Sequence, residues 1–76
     1  MIKAILQYSS SSGKRVFETL THDYVIILRT REGRSKPLIT VLFEDYSQLN
    51  GVLHKLNTVC QNEVRLVRYR KLKKRG

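Results

Sequence analysis

The chain is predicted to be an α+β protein: a four-stranded antiparallel meander, one amphipathic helix, then a basic C-terminal strand or arm. Three observations predict this. Four short stretches rich in strand formers precede residue 44, apolar residues recur at helical spacing after Asp45, and positive charge gathers in the last residues before Gly76. With 76 residues the chain has room for one domain, near the lower limit for a self-sufficient core. Residues 1–64 read as a single compact domain and residues 65–76 as a basic arm.

Residues 2–8 alternate, with Ile2, Ala4, Leu6 and Tyr8 on one strand face and Lys3, Ile5 and Gln7 on the other. Four serines and Gly13 break the pattern and read as a flexible loop. Residues 15–20 are predicted as a second strand, Val16, Glu18 and Leu20 opposing Arg15, Phe17 and Thr19. A polar turn at Thr21, His22 and Asp23 leads to residues 24–30, a run of strand formers from Tyr24 to Leu28. Residues 31–37, containing Gly33 and ending at Pro37, form a loop. Residues 38–43 are again β-like, with Ile39, Val41 and Phe43 facing away from Leu38, Thr40 and Leu42. Short connections favour an antiparallel meander.

Asp45 followed by Gln48 predicts a capping box, after which Leu49, Val52, Leu53, Leu56 and Cys60 make one apolar helical stripe. Gly51 weakens this helix or allows a close backbone approach. Gln61 and Asn62 suit a stop, and residues 63–69 suit a last strand. One helix covers one sheet face, yet the third and fourth strands are apolar on both. A second copy, another subunit or stacked bases is expected to cover the other face.

Residues 65–75, RLVRYRKLKKR, hold seven of the fifteen Lys and Arg and no acid. The remainder is nearly neutral, with net charge +2 of the total +9. Such a concentrated cationic segment is the electrostatic footprint of a polyanion binder. Arg65, Arg68, Arg70, Lys71, Lys73, Lys74 and Arg75 are candidate phosphate contacts, and Tyr69 among them is a candidate base-stacking residue. Arg29, Arg31, Arg34 and Lys36 form a second basic group around the loop. Tyr8, Phe17 and Tyr24 are expected in packing roles, and Phe43 and Tyr46 as a clamp at the helix start.

The sequence KAILQYSSSSGK, then LTHDYVIILRT, then FEDYSQLNGVLHKL resembles the smaller Alu-domain protein of the signal recognition particle, whose heterodimer binds structured RNA. Lys3, Tyr8, Gly13, Asp23 and the Ser47, Gln48, Leu49 triplet carry this likeness. The chain departs from that family in having no leading helix and in the strand that REGRSKPLITVLF adds. DYVIILRTREGRSKPLITVLFEDYSQLNGVL also resembles the latter half of a PUR repeat, a ββββα unit that binds single-stranded nucleic acid and commonly pairs with another repeat. Both resemblances imply nucleic acid as the partner.

Enzymatic chemistry is not expected. His22 and Asp23 make a turn rather than a hydrolytic constellation, and His54 has no second ligand at metal-binding spacing. SSSSGKR departs from a phosphate-binding loop, and no cofactor fingerprint is present. The lone Cys60 fits a buried small hydrophobe in a reducing compartment. With no signal-peptide pattern and no run of about eighteen apolar residues, an intracellular protein, cytoplasmic or nuclear, without membrane insertion is expected. The expected function is a small non-catalytic nucleic-acid-binding protein, acting on single-stranded or structured RNA or on single-stranded DNA. It would act as a homodimer or with a heteromeric protein partner. The alternative is a protein-interaction subunit or regulator docking through its two-faced apolar sheet in a larger assembly.

Overall fold

The computed structural model describes residues 1–31 and 36–72. Its elements are β1 (Ile2–Gln7), a 3-10 turn (Ser10–Ser12), α1 (Gly13–His22), β2 (Ile26–Arg31), β3 (Leu38–Phe43), α2 (Tyr46–Val59) and β4 (Arg65–Lys71). The strands form one four-stranded antiparallel sheet in the order β2-β3-β1-β4. β1 and β2 both run against β3, hence parallel to each other, and α1 connects them. β3 and β4 stand in the same relation around β1, connected by α2. This interleaving is the split β-α-β topology of ferredoxin-like domains.

The α+β class and the four-stranded antiparallel sheet are as predicted, but one segment differs and changes the strand order. Residues 15–20 lie in α1 rather than in a second strand. Val16 and Leu20 are buried and Phe17 is half-buried, while Glu18 is exposed. As a strand, the segment would set Glu18 on the same face as Val16 and Leu20, burying a charge. A helix brings the two aliphatics together and turns Glu18 to water. The serine stretch is ordered too: it is the 3-10 turn that leads into α1, not a flexible loop. Without a hairpin partner next in sequence, β1 takes an inner position between β3 and β4 instead of starting a meander. The described part of the expected basic arm is therefore β4, paired along β1.

The strand alternation read for residues 2–8 and 38–43 holds. Ile2, Ala4 and Leu6 of β1 and Ile39, Val41 and Phe43 of β3 are buried. They join Val16 and Leu20 of α1 and Leu49, Val52 and Leu56 of α2 in one core. Both helices thus cover the same sheet face. Cys60 completes the α2 stripe, and burial pushes its thiol up, so it stays protonated.

Asp45 Oδ1 accepts the Gln48 backbone N–H at 2.8 Å, and Gln48 Oε1 accepts the Glu44 N–H at 2.7 Å, a capping box displaced by one residue. Both helices end in a Schellman turn. Val25 N–H donates to Leu20 O and Tyr24 N–H to Thr21 O after α1, and Asn62 N–H donates to Asn57 O after α2. The left-handed position falls on Tyr24 (φ 58°) and Gln61 (φ 53°), where glycine is the residue without steric cost. Gly51, by contrast, sits in mid-helix, and apart from its chain neighbours and its own helix backbone no atom lies within 4 Å of where a Cβ would stand. Gly51→Ala is expected to raise stability by about 0.5–1 kcal/mol, measured by urea denaturation.

Candidate functional site

The helices leave the other sheet face open. Directly paired residues of antiparallel strands project to the same side, so the registers define what this face displays. Reading across β2, β3, β1 and β4, one row is Arg31, Leu38, Gln7, Arg65. The next is Arg29, Thr40, Ile5, Arg68, and the third is Ile26, Leu42, Lys3, Arg70. These rows contain Lys3, Arg29, Arg31, Arg65, Arg68 and Arg70 and no acid. Adjacent strands are about 4.8 Å apart, so the basic rims on β2 and β4 stand roughly 14 Å apart. Between them lies a floor of Ile5, Leu38, Thr40 and Leu42, all half-buried.

Two β-bulges produce this phasing. Arg65 and Arg68 are three residues apart, and uninterrupted alternation would send them to opposite faces. The register of β4 shifts between Ile5 and Leu6 of β1, absorbing Val67 and leaving Arg65, Arg68 and Arg70 on one side. A matching shift between Ile27 and Arg29 absorbs Leu28 and sets Ile26, Arg29 and Arg31 in phase. Beside the β2 rim is a recess of about 460 Å³ lined by Lys3, Ile5, Leu28, Arg29, Arg31, Leu38 and Thr40. A smaller one, about 210 Å³, is lined by Lys3, Ile5, Arg68, Tyr69 and Arg70. Among the described residues, no carboxylate forms an ion pair with any cation of this face.

The structure sorts the sequence-predicted site residues. Arg29, Arg31, Arg65, Arg68 and Arg70 come together across the open face although they arise from distant segments. Lys36 is exposed at the end of the sheet, near Gln7 and Arg65. Tyr69 pairs with Ala4, on the helix side, and meets Tyr46 edge-on with centroids 5.9 Å apart. That position removes it from the open face as a stacking group. Lys71 pairs with Ile2 and also belongs to the helix side. Arg34, Lys73, Lys74 and Arg75 lie outside the described residues. Lys3 and the aliphatic floor are not among the site residues expected from sequence, although alternation groups Lys3, Ile5 and Gln7 on one face.

Among the aromatics, Tyr8 is buried and packs edge-on against Phe17, as expected of structural residues. Tyr24 is 90% exposed in its left-handed turn, two residues before Ile26. It buries almost nothing, in a left-handed position that costs a bulky residue stability.

The end of the sheet is closed by a polar staple. Ser9 Oγ and Ser12 Oγ both donate to Glu63 Oε2, at 2.6 and 2.7 Å, tying the β1–α1 connection to the start of β4. The Ser9 bond, followed by the Ser12 bond, holds the Glu63 carboxyl below the usual carboxylate range. A depressed folded pKa contributes stability above the unfolded value, about 4.3 for Glu, and loses it as pH falls through the folded value. Glu63→Gln is therefore expected to lower stability at neutral pH and to flatten the loss of stability below about pH 4.3, read from acid titration by circular dichroism.

A groove of about 560 Å³ separates α1 from α2, lined by Glu18, His22, Asp23, His54 and Lys55 among others. Lys55 Nζ closes on both Asp23 oxygens, at 2.9 and 3.1 Å, and this bond holds the Asp23 carboxyl low. Among the described residues, no group of three His, Cys, Asp or Glu is placed to hold a metal ion. No helix among them is long and apolar enough to cross a membrane.

Fold and face together define a split β-α-β domain with one side packed by helices and the other open, apolar at its centre and cationic at its rims. No protein-family model matches the chain, and no curated protein matches its sequence.

Proposed function

We propose that this is a small non-catalytic nucleic-acid-binding protein whose open sheet face grips single-stranded or structured RNA, or single-stranded DNA. The observation that carries this reading is the convergence of Lys3, Arg29, Arg31, Arg65, Arg68 and Arg70 on one face without an acid among them. Arginine offers a planar fork of donors to phosphate and a flat surface to bases. An exposed sheet with such side chains combines an electrostatic track with room for unstacked bases. Phosphate binding there releases counterions and makes affinity fall with salt.

The aliphatic floor favours a second reading, a protein-interaction subunit docking through this face. Its partner must be acidic, because two copies meeting face to face would oppose their cations. Both sheet edges carry bulges and arginines, which disfavours continuing the sheet into a second copy. Titrations of single-stranded RNA, single-stranded DNA, duplexes and an acidic polypeptide at several salt concentrations separate the readings. Nucleic acid is expected to bind with a steep salt dependence and the polypeptide only weakly; the reverse order would favour the protein partner.

A further inference from the structure

We infer, resting on the reading above, that the open face takes a single strand in one orientation, its sugar–phosphate backbone following β4 and its bases lying over β1, β3 and β2. Three features of the face carry this. The first is the ladder itself. Arg65, Arg68 and Arg70 are in phase because the bulge absorbs Val67. They pair with Gln7, Ile5 and Lys3, so they recur about every 6.7 Å along the sheet, two strand residues per step. A regular row of cations along one rim fits a polymer with a regular row of anions.

The second is the asymmetry of the floor. β3 contributes Leu38, Thr40 and Leu42 to the open face and no cation. Ile26 and Leu28 of β2 are half-exposed beside it. Phosphate laid over these aliphatics would lose water without gaining a partner. Bases laid there cover apolar surface instead. The third feature is the far rim. Arg29 and Arg31 border the 460 Å³ recess together with Ile5, Leu28 and Leu38. That volume lies within the range of small-molecule pockets. A guanidinium at this site reads a base by stacking on it or by a forked hydrogen bond. A duplex keeps its base faces stacked inside and would leave the floor uncovered.

Lys71 supplies a built-in control. It neighbours Arg70 in sequence and shares its charge, but pairs with Ile2 on the helix side. General cationic attraction makes the two residues equivalent; the ladder does not.

The test uses the full chain, a short single-stranded RNA of mixed sequence, the same backbone with abasic sites, and a duplex, each titrated across several salt concentrations. All substituted residues are exposed, and circular dichroism verifies each variant's fold. Arg68→Ala and Arg70→Ala are each expected to reduce the logarithmic salt slope by about 0.7 and to weaken the normal and abasic strands alike. Lys71→Ala is expected to leave the slope unchanged. Arg29→Lys keeps the charge and the slope but is expected to weaken only the base-bearing strand, by roughly tenfold. Equal slope changes for Arg70→Ala and Lys71→Ala would overturn the ladder. An abasic strand binding as tightly as the normal one, or a duplex binding more tightly, would overturn the placement of the bases while leaving nucleic-acid binding intact. Failure of every nucleic acid to bind would overturn the functional reading itself.

Discussion

Replacing Arg65, Arg68 and Arg70 together by alanine is expected to weaken single-strand binding by about a hundredfold at low salt. Charge-assisted hydrogen bonds contribute roughly 1.5–3 kcal/mol each when well formed, and exposure to water brings an estimate for this face to about 1 kcal/mol. Three such contacts give about 3 kcal/mol, or about two powers of ten. The same variant should lose about 2 from the magnitude of its logarithmic salt slope, because three phosphates no longer displace counterions. The two losses have one cause, so affinity of mutant and parent should converge as salt rises. The fold should survive, since all three side chains are exposed and none contributes to the core. An affinity loss that persists undiminished at high salt would point to a structural defect in β4 rather than to lost phosphate contacts.

Phe43→Ala is expected to cost about 3–5 kcal/mol, among the largest stability effects of the truncations of described residues. Phe43 is 1% exposed and is, with Tyr8, one of the two largest buried side chains among the described residues. It pairs with Ile2 at the end of β3, close to where α2 begins. A chain of this length has a total stability of about 4–11 kcal/mol. The substitution therefore removes a large fraction of it, and unfolds the weaker end of that range. Leu56→Ala, in the fully buried part of α2, should cost about 2–5 kcal/mol. Leu53→Ala should cost less because Leu53 is only partly buried, and His54→Ala, on an exposed residue, should be mild. Urea denaturation of the four variants gives the ranking; a Phe43→Ala protein as stable as its parent would mean that the β3–α2 corner is not packed as described.

The alternation of β1 and β3 and the stripe of α2 were legible because each pattern has one solution. In β1, Ile2, Ala4 and Leu6 fit only period two, and in α2, Leu49, Val52, Leu56 and Cys60 fit only the helical period. Val16 and Leu20 are ambiguous. A spacing of four satisfies both periods, and only the neighbouring Phe17 and the charge on Glu18 decide for a helix. That single ambiguity moved β1 from the edge of a meander to the middle of the sheet.

The site was legible as a set of residues but not as a surface. Charge counting found Arg29, Arg31, Arg65, Arg68 and Arg70, since electrostatics depends on composition. It missed that they share a face, because the bulges at Val67 and Leu28 invert the parity that alternation assigns. Nearness in sequence likewise grouped Tyr69 and Lys71 with the arginines, when their pairing with Ala4 and Ile2 puts them on the opposite side. Tyr24 was read as the first residue of a strand, whereas its positive φ belongs to the turn that ends α1.

Methyl-resolved NMR of the full chain titrated with a short single-stranded RNA shows directly whether the open face is the binding surface. The methyl signals of Ile5, Leu38 and Leu42, on the open face, are expected to shift progressively and saturate together. Those of Leu49, Val52 and Leu56, under the helices, should hold their positions. Shifts concentrated on the α1–α2 side, or none on the open-face methyls at saturating RNA, would mean that the open face is not where RNA binds.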